Sequence, residues 1–290
     1  MCLGMKLVQF IHQGRQKIGI QTLTSIVSLT DGHGDMPNNM IDFLKKHDEL
    51  MKIARKLQNC NKNVISSDEV KFLPPITGCE KIICIGMNYK DHCTEQNVEV
   101  PTEPVVFNKF PSAIAGNGDN ILLPSVSNAV DWEVELAVVI GKQGKNIEKM
   151  EAMKYIAGYM VANDVSARDW QMHKNGHQWL LGKTFDTFCP IGPALVTKDN
   201  VKNPNNLGLR CLVNGKLMQD SNTNQLVFGI DECISWVSKI CTLKPGDILL
   251  TGTPPGVGVF RKPPIYLKEG DEVVCEIEDI GRLTNIVVAE

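Results

Sequence analysis

The first thirty residues of the chain alternate between apolar and polar side chains, as the strands of a β-sheet do. The alternation runs through residues 6–10 and again through residues 18–29. Gly14 and Gly19 interrupt the pattern at positions that suit turns. The pattern therefore predicts two or three short strands over residues 1–30.

A helical spacing follows, in which apolar residues recur every three to four positions over residues 37–58. Proline is common in the first turn of a helix because its missing N–H would be unpaired there, so we place Pro37 in that turn. The next residues are polar, and a proline pair at residues 74–75 ends the segment. We therefore predict a small N-terminal domain over residues 1–75 and a larger domain over residues 76–290.

The rest of the chain is rich in short apolar runs that are bounded by turn residues. Asn214 and Gly215 together form a strong signal for a type I′ hairpin turn. Many strands with few, irregularly placed helices are typical of an α+β fold and not of a doubly wound α/β fold. Strands are predicted at residues 81–85, 105–110, 120–123, 131–140, 160–165, 208–213, 247–251 and 272–277, and helical segments at 147–155, 167–174 and 230–239.

Composition and charge exclude several classes of function. The 290 residues include 30 basic and 33 acidic side chains, and the net charge of −3 argues against nucleic-acid binding, which needs a basic surface. The apolar runs are shorter than the about 18 residues of a membrane-spanning helix. Ten scattered cysteines favour reduced thiols. An acid-poor segment precedes Asp31, but it forms no clear transit peptide, so mitochondrial and cytoplasmic locations both stay open.

Three carboxylates are the first candidates for chemistry. Glu133 and Glu135 lie two positions apart in a predicted strand, so their side chains point the same way, about 7 Å apart. Asp164 ends another apolar run, where a buried carboxylate needs a compensating cation. Three oxygen ligands without a nearby histidine or cysteine predict a hard cation, Mg²⁺ first and then Mn²⁺ or Ca²⁺. The alternative for the two glutamates alone is a polar strand face in contact with water.

Three further segments carry residues that suit catalysis or anion binding. Lys183 follows an apolar run, so its ammonium is either partly desolvated and functional or an exposed surface group. Residues 252–258, which include Thr253, are rich in glycine and proline. Such a turn either offers backbone N–H groups to an anion or is only a tight connection. If their segment is helical, His92 and Glu95 are neighbours, and a histidine oriented by a carboxylate is a general-base arrangement.

Five motifs in order resemble the fumarylacetoacetate hydrolase superfamily over about residues 82–288. Each motif is weak alone, but five in this order are highly specific. Within the superfamily the chain is most similar to an animal subgroup, the fumarylacetoacetate hydrolase domain-containing protein 2 group, at residues 169–172 and 256–261. The motifs are GMNY (86–89) followed by His92, DWEVE (131–135), NDVSARD (163–169), GKTFD (182–186) and TGTPPGVG (251–258).

The resemblance implies an α+β fold in which several coiled, mainly antiparallel β-sheets surround a metal-centred pocket, preceded by a small N-terminal domain. It also implies a homodimer. The site residues that it implies are the metal ligands Glu133, Glu135 and Asp164, the catalytic residues His92, Glu95 and Lys183, and the substrate-binding residues Lys109, Arg168, Gln171 and Thr253.

Members of the superfamily act on 2-oxo acids, and the resemblance implies a Mg²⁺-dependent enzyme that stabilises an enolate. The expected reaction is oxaloacetate keto–enol tautomerisation, in a mitochondrial location. The alternatives are hydrolysis of a C–C bond in acylpyruvates, decarboxylation of oxaloacetate, and a non-catalytic metabolite-binding protein. Two departures from related sequences bear on this choice. Asn88 stands where fumarylacetoacetases carry an acidic residue, and Met87 stands where acylpyruvate hydrolases often carry arginine.

Overall fold

The computed structural model of the protein describes residues 5–60 and 62–290. Residues 1–4 and Asn61, which belong to the predicted N-terminal domain, lie outside the described residues. The described part of the first 75 residues forms β1 (Lys6–His12), β2 (Arg15–Gln21), β3 (Ser25–Ser28), α1 (Leu29–Gly32), α2 (Met40–Lys45), α3 (His47–Gln58), β4 (Val64–Ser66) and β5 (Lys71–Leu73).

The predicted helix over residues 37–58 forms as two helices, α2 and α3. The chain breaks the helix at Lys46, whose backbone angles are φ −116° and ψ 31°. The helix α2 begins at Met40, because the Asn39 side chain accepts the N–H of Asp42 and caps this end. Pro37 therefore lies before the helix, and its predicted place in the first turn is wrong.

The two glycines of the first region have different roles. Gly14 lies between β1 and β2 with a positive φ of 73°, as a turn requires. Gly19 lies inside β2, so the prediction that it separates two strands is wrong. A Cβ at Gly19 would lie 2.4 Å from the side chain of Ile26, so this glycine permits the close approach of β3.

The second region carries the remaining strands and helices. The helices are α4 (Lys90–Gln96), α5 (Arg168–Met172), α6 (Leu180–Lys183) and α7 (Ile230–Ile240). The strands are β6 (Ile82–Gly86), β7 (Val105–Lys109), β8 (Ile114–Ala115), β9 (Ile121–Leu123), β10 (Val130–Asp131), β11 (Val134–Ile140), β12 (Ile156–Asn163), β13 (Ser166–Ala167), β14 (Cys189–Thr197), β15 (Gly208–Val213), β16 (Lys216–Asn222), β17 (Ile248–Leu250), β18 (Glu272–Ile277) and β19 (Gly281–Ala289).

Twelve strands form one sheet in which the two regions are continuous. Its order is β4-β3-β2-β1-β14-β12-β11-β17-β6-β7, with β5 beside β1 and β8 beside β14. The strand β1 joins the regions because it pairs antiparallel with β14, with Leu7 opposite Leu195. The predicted boundary at residue 75 lies in the connection between β5 and β6.

The other strands form two smaller sheets. One has the order β16-β15-β18-β19-β9, and the other is the pair β10-β13. Parallel pairing joins β6 to β17, β8 to β14 and β9 to β19, whereas the other described pairs are antiparallel. The predicted α+β fold of several mainly antiparallel sheets is confirmed. Asn214 and Gly215 join β15 to β16 with positive φ angles of 51° and 74°, as the hairpin signal predicts.

Two predicted elements differ in detail. The predicted strand over residues 131–140 is interrupted between β10 and β11, because the N–H of Glu133 donates to the side-chain oxygen of Asn163 at 3.0 Å. The predicted helix over residues 147–155 forms as a 3₁₀-helix, Lys149–Tyr155.

The strand β11 lies at the centre of the core and is buried on both faces. Leu136 and Val138 belong to one apolar cluster, while Ala137 and Val139 belong to a second on the other face. Packing on both faces fixes the strand tightly, so the carboxylate of Glu135 is held in a defined place. None of the described helices combines the length and the apolar character needed to cross a membrane.

Candidate active site

A cavity of about 170 Å³ lies at the start of β11. Apolar residues form much of its wall, including Met87, Phe107, Trp179 and Phe260. Of the ten predicted site residues, seven line this cavity: His92, Glu133, Glu135, Arg168, Gln171, Lys183 and Thr253.

The three predicted metal ligands converge at one wall of the cavity. Val134 pairs with Asn163 across β11 and β12, and the N–H of Asp164 donates to the carbonyl of Glu133 at 2.8 Å. This register brings the ends of two strands together. Glu133, Glu135 and Asp164 are all buried, and each offers a carboxylate oxygen within 4.8 Å of the others.

Lys183 bridges two of these carboxylates. Its Nζ donates to Glu133 Oε2 at 2.8 Å and to Asp164 Oδ2 at 2.9 Å, and its side chain is 1% exposed. The ammonium is therefore desolvated, and Lys183 is not a surface group. Burial alone would lower the pKa of Lys183, but the charges of Asp164 and Glu133 outweigh it and raise this pKa.

Glu133, just before β11, and Glu135, within it, have pKa values that are shifted in opposite directions. Burial favours the neutral form of both. For Glu133, the charges of Lys183 and Arg168 outweigh burial and lower the pKa to about 2. For Glu135, burial and the negative charges of Asp164 and Glu133 together hold the pKa well above its ordinary value. Glu135 accepts a backbone N–H from Gly252 at 2.6 Å, which compensates its charge only in part.

The centre carries more buried negative than positive charge. Within the described residues, four buried carboxylates meet three buried cations, so one negative charge remains. Three converging carboxylate oxygens with excess negative charge fit a divalent cation of the hard, oxygen-binding type. The carboxylates are Asp131, Glu133, Glu135 and Asp164, and the cations are Lys109, Arg168 and Lys183.

Lys109 reaches the cluster of Glu133, Glu135 and Asp164 from β7. Its Nζ donates to Asp164 Oδ1 at 2.5 Å and to the carbonyl of Val165 at 3.0 Å. Lys183 contacts the other oxygen of the same carboxylate. The side chain of Lys109 is fully buried and, among the described residues, lies behind Asp164 rather than in the cavity wall.

His92 and Glu95 form the predicted pair on α4. His92 Nδ1 lies 2.9 Å from Glu95 Oε2, and His92 lines the cavity beside the ring of Phe260. The second carboxylate oxygen of Glu95 accepts the N–H of Gly256 at 2.9 Å. Glu95 therefore orients the imidazole and at the same time attaches α4 to the glycine-rich segment 252–258.

The backbone N–H groups of that segment are used by the protein's own carboxylates. Gly252 donates to Glu135, Gly256 to Glu95, and Gly258 to Asp131. These three N–H groups are therefore occupied by side chains of the chain itself, and the turn has the backbone angles of the tight connection that was the second alternative. Gly252 and Gly256 have positive φ angles of 104° and 102°, which other residues rarely adopt.

The predicted substrate-binding residue Thr253 lies in the cavity wall within this segment. Its hydroxyl donates to the carbonyl of Val134 at 3.0 Å and accepts from Gln219 Nε2 at 2.8 Å. Thr253 is therefore held against β11, close to Glu133 and Glu135. Gln219 also donates to the carbonyl of Pro254, which fixes the turn.

The two departures noted in the sequence have structural counterparts. The Asn88 amide nitrogen donates to the carbonyls of Phe228 and Thr251, and its oxygen accepts the N–H of Phe228. Asn88 therefore joins the segments that contain Phe228 and Thr251. It adds no carboxylate to the cluster of Glu133, Glu135 and Asp164. Met87 lines the cavity and has a positive φ of 54°.

Sequence analysis missed the aromatic wall and Asp131. Trp179 packs edge-on against Phe107 at 5.3 Å between ring centroids, and Lys183 Nζ lies 4.9 Å from the Phe107 centroid. The residues around Trp179 gave only an apolar signal. Asp131 had a usable signal, because it shares the alternating spacing of Glu133 and Glu135.

The chain is similar to several known proteins over nearly its whole length. A family model described as "Fumarylacetoacetate (FAA) hydrolase C-terminal" matches residues 81–288. A Bos taurus protein named "Oxaloacetate tautomerase FAHD2B, mitochondrial" is 56% identical over 98% of this chain and 92% of its own length. A fumarylacetoacetate hydrolase structure from Exiguobacterium antarcticum is 33% identical, with a TM-score of 0.86, over 99% of this chain and all of that chain.

A second solved structure bears on the metal. It is a maleylpyruvate hydrolase from Sphingobium sp. SYK-6, described as a complex with a manganese(II) ion and pyruvate. It is 29% identical to this chain, with a TM-score of 0.82, and the match covers 98% of this chain and 99% of that one.

Proposed function

The chain belongs to the fumarylacetoacetate hydrolase family, and we propose that this enzyme is an oxaloacetate tautomerase that depends on a divalent metal ion. The observation that carries the proposal is the buried cluster of Glu133, Glu135 and Asp164, with Lys183 bonded to two of the three. The Bos taurus relative that is named an oxaloacetate tautomerase supports the choice of reaction.

Glu133, Glu135 and Asp164 would hold the metal ion, with Mg²⁺ as the proposed physiological ion. A divalent ion at this place supplies Lewis-acid stabilisation of the enolate that the keto and enol forms share. The raised pKa of Glu135 supports this role, because ionising this buried carboxylate without a cation nearby is costly.

The size and the polar residues of the cavity suit a small 2-oxo acid. Its volume of about 170 Å³ is below the about 300–1,000 Å³ of pockets for drug-sized ligands. Arg168 and Gln171 offer charged and amide donors at the cavity wall, and Thr253 offers a hydroxyl. We assign these three side chains to the carboxylates of the substrate.

Lys183 is the proposed group that moves the proton at C3 of the substrate. Its Nζ lies in the cavity wall between Glu133 and Asp164. These carboxylates raise its pKa, so neutralising their charge lowers this pKa towards the range in which lysine exchanges protons. His92, oriented by Glu95, is the second proton-transfer group.

An NMR time course of freshly dissolved enol-oxaloacetate tests the proposal. With enzyme and Mg²⁺, conversion to the keto form should accelerate, and EDTA should abolish the acceleration. Pyruvate accumulating in place of the keto form would show a decarboxylase. No acceleration with folded, metal-loaded enzyme would refute the tautomerase assignment.

A second candidate reaction is hydrolysis of a C–C bond in acylpyruvates. The observation in its favour is the His92–Glu95 pair at the cavity wall, since such a pair can activate a water molecule. Turnover of a short acylpyruvate that His92→Ala abolishes would support hydrolysis. If His92→Ala leaves that turnover intact, the pair does not act as its general base.

We also propose a homodimer and a mitochondrial location. The strand β7 lies at the edge of the twelve-stranded sheet, and Val105, Val106 and Phe110 are 37–44% exposed along it. Exposed apolar edge strands readily pair with another chain. Light scattering should give twice the monomer mass, and Val106→Lys should lower the measured mass towards that of one monomer.

The mitochondrial proposal is supported by the name of the Bos taurus relative and is tested by fractionation of cells.

A further inference from the structure

Asp131 is a fully buried carboxylate just outside the metal-ligand cluster. Its Oδ1 accepts the N–H groups of Trp132 at 2.8 Å and Gly258 at 2.7 Å. Its Oδ2 accepts the N–H of Val259 at 3.0 Å and Arg168 Nε at 2.8 Å. Four donors saturate the two oxygens, so Asp131 has no capacity left for a ligand.

Hydrogen bonds to Asp131 and Gln171 fix the orientation of the Arg168 guanidinium. Nε donates to Asp131, and Nη1 donates to Gln171 Oε1 at 2.8 Å. Nη2 is buried and lies 2.7 Å from Glu133 Oε1 as an ion pair. Because the guanidinium is planar, two fixed nitrogens determine where the third one points.

We propose that Asp131 is a positioning residue that holds the Arg168 guanidinium at the cavity wall in the orientation that binds the substrate carboxylate. The inference rests on the proposed function, because it takes the cavity as the site of a 2-oxo acid. Asp131 acts through Arg168, which lines the cavity, and does not touch the substrate itself.

The same carboxylate fixes a second wall of the cavity. The N–H groups of Gly258 and Val259 end on Asp131, and the next residue, Phe260, lines the cavity. A Cβ at Gly258 would lie 1.9 Å from the carbonyl of Ile265 and 2.8 Å from Asp131, so only glycine permits this approach. Asp131 therefore connects Arg168 to the segment that carries Phe260.

Asparagine cannot replace Asp131 in this role, although it has the same shape. It has one acceptor oxygen, and its NH₂ group would face two of the four donors. Asp131→Asn should therefore release either Arg168 Nε or the backbone of residues 258–259. Groups that orient metal-ligating side chains contribute about 10- to 100-fold to metal affinity or activity, and we expect the same range for a group that orients a substrate-binding side chain.

Oxalate binding in the presence of Mg²⁺, measured by titration calorimetry, tests the inference without relying on turnover. Asp131→Asn should weaken oxalate binding by about 10- to 100-fold and raise KM more than it lowers kcat, while Mg²⁺ affinity changes less than about threefold. In an Arg168→Lys background, Asp131→Asn should add less than about twofold, because the fork that it orients is gone.

Asp247→Asn is the matched control. Asp247 is buried and accepts Lys81 Nζ and the N–H of Lys244, but it lies at the start of β17, away from the cavity wall. This variant should fold and keep the oxalate affinity of the wild type.

Several outcomes would overturn the inference. One is a folded Asp131→Asn variant with wild-type oxalate affinity; another is a loss that multiplies with that of Arg168→Lys. If Asp131→Asn does not fold, Arg168→Lys alone decides, since it keeps the charge and loses the fork: a fall in oxalate affinity of less than twofold refutes the inference. If the wild-type enzyme binds Mg²⁺ but no oxalate, the inference is refuted, because the cavity then does not bind the carboxylates that Arg168 is proposed to hold. Normal oxalate binding without tautomerisation refutes only the proposed reaction.

Discussion

Two groups of buried polar side chains, one at β1 and one at β11, differ in how completely the protein pairs them. In β1, the side chain of Gln9 is fully buried and neutral. Its nitrogen donates to the carbonyl of Pro74 and the hydroxyl of Thr77, and its oxygen accepts from Gln16 and from the N–H of Met40. At β11, four buried carboxylates meet three cations and leave one negative charge.

The comparison shows how a structural polar centre differs from a functional one. The four hydrogen-bonding positions of the Gln9 amide are all filled by the protein, so nothing further is needed there. At the carboxylate centre, Glu135 is kept at a pKa well above its ordinary value, which is a sign of incomplete compensation. The unbalanced centre is where a ligand gains most by binding.

The largest effect is expected from Glu135→Gln, which removes one of the three proposed metal ligands. A catalytic metal contributes several kcal/mol, so activity should fall about 10³-fold or more and lose its response to Mg²⁺. The metal-free variant should nevertheless unfold at a higher temperature than the metal-free wild type, because an uncompensated buried carboxylate is gone. Steady-state kinetics and calorimetry measure both.

Glu135→Gln should also change how the stability of the metal-free protein depends on pH. In the metal-free wild type, the raised pKa of Glu135 reduces stability progressively as pH rises above its ordinary value of 4.5. Glu133, with a pKa lowered to about 2, contributes stability above pH 4.5 that is lost as pH falls towards 2. The advantage of Glu135→Gln should therefore grow from pH 4.5 to pH 8. An advantage that stays flat over this range, or that exposed Glu69→Gln reproduces, would contradict this electrostatic account.

The next effect is expected from Lys183→Met, which breaks two ion pairs. Turnover should fall about a hundredfold or more, and stability should fall by about 3–5 kcal/mol because Glu133 and Asp164 lose their shared cation. Lys109→Met removes a cation from the same Asp164 behind the cavity wall. It should cost similar stability but less turnover. Equal losses of turnover in the two variants would refute the special role of Lys183.

A moderate effect is expected from Gln9→Leu at the neutral centre. The N–H of Met40 and the carbonyl of Pro74 lose their partner, which costs about 1–3 kcal/mol. Urea unfolding measures this loss, and kcat should remain at the wild-type value. A change in kcat beyond about twofold would show that this centre also serves the active site.

The smallest effect is expected from Arg55→Ala at the protein surface. Arg55 in α3 lies 2.6 Å from Asp199 of the second region, with both side chains nearly half exposed. Exposed ion pairs contribute about 0–1 kcal/mol and weaken with salt. Unfolding at low and high ionic strength should give a difference that disappears at high salt. A loss above about 2 kcal/mol would mean that the pair is not a simple surface contact.

The sequence predicted the elements whose signal is local. The alternation of Glu133 and Glu135, the hairpin at Asn214 and Gly215, and the amphipathic segment that forms α7 all depend on neighbours in the chain. The α+β fold class was predicted from the same patterns. The break at Lys46 was not predictable in this way, because neither proline nor glycine marks it.

The features that were missed depend on contacts between distant residues. The strand β14 contains Pro190 and Pro193, which normally argue against an inner strand, yet it lies between β1 and β12. The site shows the same limit. The motifs suggested which carboxylates cluster, but the bonds from Asp131 to Gly258 and from Lys183 to Glu133 span 127 and 50 positions in sequence.

The pairing of β1 with β14 joins the two regions in one hydrogen-bonded sheet, so we expect them to unfold together. Separation of β1 would open the edge of β14, whose other neighbour, β12, leads directly into Asp164. Thermal unfolding should therefore show one transition with equal calorimetric and van 't Hoff enthalpies. Only β14 and β12 separate β1 from Asp164, so we expect that loosening β1 would also loosen the buried carboxylate cluster.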